Sequence, residues 1–219
     1  MQRNSAPTAL IAGPTGAVGC ALLVQLLADS RYSTVKALSR RSLGISHPKL
    51  VELRFDGEDV DSLGGAIAAD DVYCCLGTTL KQAGSKAAFE RVDYHLVLDI
   101  ARASKAQGAQ QFLVVSAVGA SLRSPAFYSR VKARMEQALA EVGFDSLHIV
   151  RPSLLLAERD EWRPAEWLGS QLAPLLDSVL NGEMAKYRAV KVEDVAAAML
   201  TLAKRHSPGR QVHHLPLAG

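Results

Sequence analysis

The sequence predicts a doubly wound parallel α/β sheet filling the 219 residues as one unit, with a small cap at 154–190. Three observations carry this. Short continuous apolar runs alternate with longer segments of helical period, the pattern of a sheet whose strands are buried on both faces by crossover helices. A glycine-rich loop, GPTGAVG at 13–19, joins the first apolar run to the first helical segment. Helical segments close on glycine at Gly108, Gly143 and Gly182, where a left-handed residue stops a helix.

Taken in order, strands are expected at TALIAG (8–13), TVKALSR (34–40), LVELRFD (50–56), DVYCCLG (71–77), QFLVVSA (111–117), SLHIVRPS (146–153) and QVHHLPL (211–217). Helices are expected at 17–29, 59–69, 85–107, 126–142, 165–181 and 192–205. The alternation loosens after Ser153, in LLLAERDEWRPAEWLGSQL, and that stretch is assigned to the cap.

Composition narrows the function classes. Apolar residues make up 48% and charged residues 21%, as in an ordinary globular protein. A net charge of +3, scattered along the chain, excludes a nucleic-acid surface. No apolar run approaches a membrane span, and the N-terminus lacks a signal-peptide core. Three cysteines, two of them adjacent, make no disulfide framework, so a cytoplasmic location is expected.

The loop is the first chemical feature. Strand, G-x-x-G-x-x-G, helix is the arrangement that seats a pyrophosphate on a helix N-terminus. Gly13 is expected to make the tight turn, Gly16 to let the ligand approach, and Gly19 to pack the helix. Thr15, Ala17 and Val18 complete the contact. At the end of the second strand stand Arg40 and Arg41, with no acid to hold a ribose 2′-hydroxyl. Guanidinium suits a 2′-phosphate, so NADP(H) is expected over NAD. Asp56 and Gly57, at the end of the third strand, either meet an adenine or form an ordinary turn.

Carbonyl reduction needs a proton donor, and a tyrosine four residues before a lysine on one helical face supplies it. Three such pairs occur: Tyr32–Lys36, Tyr128–Lys132 and Tyr187–Lys191. Only the middle pair lies within a long helical segment, AFYSRVKARMEQALAEV, and it follows a strand ending at Ser116. The serine hydroxyl is expected to meet the substrate carbonyl and the tyrosine. The lysine ammonium is expected to lower the phenol's pKa.

Strand-GxxGxxG-helix, a serine closing the fifth strand and YxxxK twelve residues later resemble the short-chain dehydrogenase/reductase superfamily over nearly the whole chain. CCLGTT, AGSKAAFERVDY, RPSLLLAERDEWRPAEWL and VKVEDVAAAML resemble its atypical branch, which includes the Tat-interacting oxidoreductase-like proteins. The resemblance implies an NADP(H)-binding Rossmann fold with Ser116, Tyr128 and Lys132 in the catalytic places. Leu76, Gly77, Thr78 and Pro152 would line the cofactor. It also implies a small-molecule carbonyl or alcohol substrate, and a homodimer through the helices at 85–107 and 126–142. The chain departs from many relatives in carrying CCLG after the fourth strand and Asp93 where an asparagine often stands. Some members of the branch act as cofactor-dependent regulators, and an NADP(H) sensor is the alternative.

Other residues offer less. His213 and His214 are adjacent in a strand, as are Cys74 and Cys75, so neither pair converges on a metal. His95 and His148 are expected to stand alone. Trp162 and Trp167 could form a lid, packing anchors or a partner surface.

Overall fold

The computed structural model describes residues 6–156, 189–215 and 217. Seven parallel strands form one sheet: β1 (Thr8–Ala12), β2 (Thr34–Ser39), β3 (Leu50–Arg54), β4 (Asp71–Cys74), β5 (Gln111–Val115), β6 (Ser146–Arg151) and β9 (Gly209–His214). Their order is β3-β2-β1-β4-β5-β6-β9. Winding reverses between β1 and β4, and the carboxyl ends flanking that reversal are where an open parallel sheet leaves a crevice. A second, two-stranded parallel sheet pairs β7 (Leu155–Leu156) with β8 (Val190–Lys191).

Helices cover both faces. On one lie α1 (Ala17–Ala28) and α6 (Val192–Arg205), whose Leu22, Leu26, Val195 and Met199 are buried against β1 and β4 through Ile11 and Tyr73. On the other lie α4 (Val97–Ala106) and α5 (Phe127–Val142), which bury Ile100, Met135 and Leu139 with Leu10, Val72 and Phe112. Truncating any of these fully buried side chains to alanine costs about 2–5 kcal/mol. The inner strands β1, β4, β5 and β6 are buried nearly throughout, and the edge strands β3 and β9 are partly exposed.

Several boundaries shift. β3 stops at Arg54, two residues short of Asp56, and β4 stops at Cys74. The segment expected as a helix at 59–69 is a 3₁₀ stretch, Val60–Ile67, broken at Gly64 where φ is 47°. A short helix, α2 (Leu80–Ala83), is capped by Thr79 and stopped by left-handed Gly84. The helix expected at 85–107 is α3 (Lys86–Glu90) running into α4 through a π-helical turn at Arg91–Leu96. Of the expected cap, residues 157–188 lie outside the described residues, and with them Trp162, Trp167, Tyr187, Gly182 and the helix at 165–181.

His148 does not stand alone. It is fully buried, and its Nδ1 lies 3.0 Å from His213 Nε2. Its Nε2 lies 3.0 Å from Ser146 Oγ, which donates to the Ser207 carbonyl. Burial first, then the neighbouring His213, pushes the His148 pKa down to about 4.

Candidate functional site

The site begins where β1 ends. Gly13 turns with φ 81°, and a Cβ there would sit 2.9 Å from the Cys75 carbonyl. At Gly19 a Cβ would sit 2.0 Å from the Gly13 oxygen, so α1 rests on the loop only because that residue has no side chain. Gly16 differs, since a Cβ would meet nothing nearer than 3.5 Å. Its bareness serves the space in front of the loop. α1 has no side-chain cap and no acid in its first turn. The amides of Ala17, Val18 and Gly19 therefore present the positive end of a twelve-residue helix. The Val18 side chain itself is buried in the core.

In front of this loop lies a cleft of about 620 Å³. Its walls are the carboxyl ends of four strands: 12–16 after β1, 38–41 closing β2, 55–58 after β3 and 75–78 after β4. Gly13, Thr15, Gly16, Arg40, Arg41, Asp56, Gly57, Leu76, Gly77 and Thr78 thus line one space. Arg40 and Arg41 are exposed, and among the described residues no carboxylate pairs with either. Ser39 shapes their turn by donating to the Arg41 carbonyl at 2.7 Å. Asp56 lines the cleft while one carboxylate oxygen accepts from the Glu58 amide, so it is both wall and turn.

Sequence reasoning missed Arg91. From the π-helical turn it donates to the carbonyls of Gly57 and Glu58, each at 3.0 Å, and pairs with Asp99. It fixes the loop after β3 against the cleft. A single arginine in a helical segment gives no sign of such a reach.

The Tyr128–Lys132 pair lies one step beyond the cleft wall. Both stand on one face of α5, and a Cβ at Gly77 would sit 3.9 Å from the Lys132 ammonium and 3.6 Å from Asp93 Oδ1. Lys132 Nζ lies 2.7 Å from Asp93 Oδ1, with both side chains almost fully buried. Asp93 Oδ2 accepts from the Thr78 amide at 2.8 Å. Burial opposes the Lys132 charge most strongly, but Asp93 and Tyr128 together outweigh it and hold the ammonium above its ordinary pKa. Tyr128 is 38% exposed, and its ring packs on Phe89 with centroids 5.6 Å apart.

The expected lowering of the phenol does not occur. Burial raises the Tyr128 pKa, Lys132 pulls it down, and Asp93 pushes it up again, leaving a net rise. Ser116 is buried at the carboxyl end of β5, as expected, but its hydroxyl donates to Glu136 Oε1 at 2.5 Å. Glu136 is held in turn by Arg151 through both carboxylate oxygens. Among the described residues no hydrogen bond joins Ser116 to Tyr128. Pro152 is buried behind the site, its carbonyl accepting from the Val118 amide, and it does not line the cleft.

The two competing pairs are set aside on different grounds. Tyr32 is buried at the amino end of the sheet, bonded to Asp71 and Tyr73. Tyr187 lies outside the described residues. Cys74 is buried and its thiol is pushed up to about 11; burial also raises Cys75, which leaves neither a ready nucleophile.

A glycine cradle, a bare helix start and a cleft across the switch point are the geometry of a dinucleotide site, and known proteins agree. The profile of the NAD(P)H-binding family matches residues 13–206. The chain belongs to this family. It is 36% identical to protein HTATIP2 of Rattus norvegicus over 195 residues, covering 87% of this chain and 78% of that protein. It is 34% identical to mitochondrial protein FMP52 of Chaetomium globosum over 161 residues, 69% of this chain and 67% of that one. Among solved structures, MoeE5 in complex with UDP-glucose and NAD superposes with a TM-score of 0.70 at 19% identity, over 94% of this chain and 75% of that one. The oxidoreductase ylbE from Lactococcus lactis gives 0.68 at 18%, over 94% and 88%. These structures share the fold, and together with HTATIP2 they bear out the resemblance to the atypical short-chain dehydrogenase/reductases. Among the described residues no helix is long and apolar enough to cross a membrane. Because FMP52 is named mitochondrial, the cytoplasmic expectation rests on this sequence alone.

Proposed function

We propose that this NAD(P)H-binding protein is an oxidoreductase that uses NADP(H) to reduce a small-molecule carbonyl to an alcohol. The observation that supports the reading is the Tyr128–Lys132 pair on one face of α5, with the Lys132 ammonium beside Gly77, a residue that lines the cleft. The residues present suit the cofactor. The amides of 17–19 would hold the pyrophosphate, Arg40 and Arg41 the 2′-phosphate, and Asp56 the adenine edge. When bound, NADPH supplies a hydride to the carbonyl carbon. Tyr128 gives its proton to the carbonyl oxygen, and Lys132 steadies the phenolate that is left. Ser116 meets a substrate carbonyl only by turning its hydroxyl off Glu136. In the conformation seen it fixes α5 one turn beyond Lys132.

The test is loss of NADPH absorbance across a panel of aldehydes, ketones and quinones, with wild type and Tyr128→Phe side by side. Turnover by the wild type on at least one of them, abolished in the variant with NADPH binding kept, supports the reading. Tight NADPH binding with no turnover across the panel replaces it with a cofactor sensor.

A further inference from the structure

Asp93 does more than fill the place of an asparagine. The π-helical turn at Arg91–Leu96 fits an extra residue into the helix and leaves Asp93 fully buried. A carboxylate without water must be paired, and Asp93 has two partners on different elements. These are the Lys132 ammonium on α5 and the Thr78 amide on the loop after β4. Among the described residues the surroundings of Lys132 offer it no other anion. From β4 comes Cys74, a neutral buried thiol; from the loop comes Gly77, with no side chain. Along α5, Glu136 is taken by Ser116 and Arg151, with Arg210 3.6 Å away. Tyr128 faces the apolar ring of Phe89 on its other side.

An unpaired ammonium favours a nearby phenolate, whereas an ammonium held against a carboxylate presents a dipole of much weaker pull. We propose that Asp93 is a positioning residue. It holds Lys132 in place against the loop after β4 and offsets its charge, so that the ammonium's pull on the Tyr128 phenol is weakened. Asp93 acts through Lys132 and touches no reacting atom. The inference rests on the reading of Tyr128 as proton donor, and it concerns how strongly Lys132 acts on that phenol. With the hydride that bound NADPH would supply at the carbonyl carbon, the π pair would move to oxygen and the Tyr128 O–H bond would break to protonate that oxygen. Water restores the phenol. The direction of the phenol's shift agrees, since burial and Asp93 together outweigh the pull of Lys132.

Tyrosinate absorbance of the full chain tests this without substrate, with the titration of Tyr128→Phe subtracted to isolate Tyr128. The expected result is that Tyr128 does not ionise below about pH 10. In Asp93→Asn, whose amide oxygen still accepts from the Thr78 amide, the midpoint falls by about one pH unit or more. The alkaline limb of the kcat/KM profile moves the same way. A wild-type midpoint well below 10 overturns the proposal whether or not Asp93→Asn folds, and so does an unchanged midpoint in a folded Asp93→Asn. Failure of the reductase reading looks different: Tyr128→Phe would turn over normally while the titrations stayed as expected.

Discussion

Residues 32–36 read YSTVK and residues 128–132 read YSRVK, one letter apart, yet they fold into opposite kinds of place. The first pair spans the start of β2. Four residues of extended chain separate its ends by about 13 Å, and the two side chains serve different neighbours. Tyr32 shares its hydroxyl between Asp71 and Tyr73 at 2.6 Å each, inside a buried cluster completed by Arg31 and Gln111. Lys36 is spent on the carbonyls of Ala66 and Ala68. The second pair is one helical turn apart, about 6 Å. Its lysine is fixed by a single buried acid and its phenol has no hydrogen-bond partner among the described residues. A polar group whose every valence is met holds a fold together. One that is positioned, charged at its back and open at its front is equipped for chemistry.

Changing the lysines separates the two regions most strongly. Lys132→Met leaves Asp93 buried without its counterion and should cost about 3–5 kcal/mol, with turnover lost in whatever folds. Lys36→Met removes hydrogen bonds to carbonyls that water can partly reach. It should cost about 1 kcal/mol and leave turnover per folded molecule intact. Thermal unfolding and NADPH oxidation on the same preparations check both.

A second buried polar cluster predicts a response in stability alone. His148 is held neutral by the fold, with its pKa lowered from 6.5 to about 4. A lowered histidine contributes stability that is complete above pH 6.5 and is lost as pH falls toward 4. The loss is as much as about 3 kcal/mol. Melting curves across that window should slope down on the acid side, and His148→Gln should flatten the slope. An unchanged slope in the variant would remove His148 as its cause.

A smaller effect belongs to the other end of the cleft. Arg40→Ala with Arg41→Ala should weaken NADPH binding about 10- to 100-fold and leave NADH binding nearly unchanged. Fluorescence titration of the two cofactors measures the ratio. Equal losses for both would place the arginines outside the 2′-phosphate contact.

Much of this was legible in the chain. The loop at 13–19 showed because glycine spacing reports where backbone must approach backbone, and both Gly13 and Gly19 are required for that reason. Tyr128–Lys132 showed because helical period brings two letters onto one face. What stayed hidden depended on choices between neighbours distant in sequence. Ser116 could be placed at the end of a strand, but nothing local says that its hydroxyl prefers Glu136, twenty residues on. The π-helical turn that buries Asp93 adds one residue to a helix without changing its composition. His148 and His213 are 65 residues apart and meet only because β6 and β9 are neighbours. The helix α2 had a threonine cap and a glycine stop, but four residues are too few to show a period.

The most direct test compares two tyrosines that lose one oxygen each. Turnover with NADPH, normalised to folded protein, should fall about 10²- to 10⁴-fold in Tyr128→Phe with the melting temperature nearly unmoved. In Tyr32→Phe turnover should stay at the wild-type value while stability drops by about 1–3 kcal/mol, because Asp71 and Tyr73 lose a buried partner. Full turnover in Tyr128→Phe, or turnover lost from folded Tyr32→Phe, would contradict the assignment of chemistry to the helical pair.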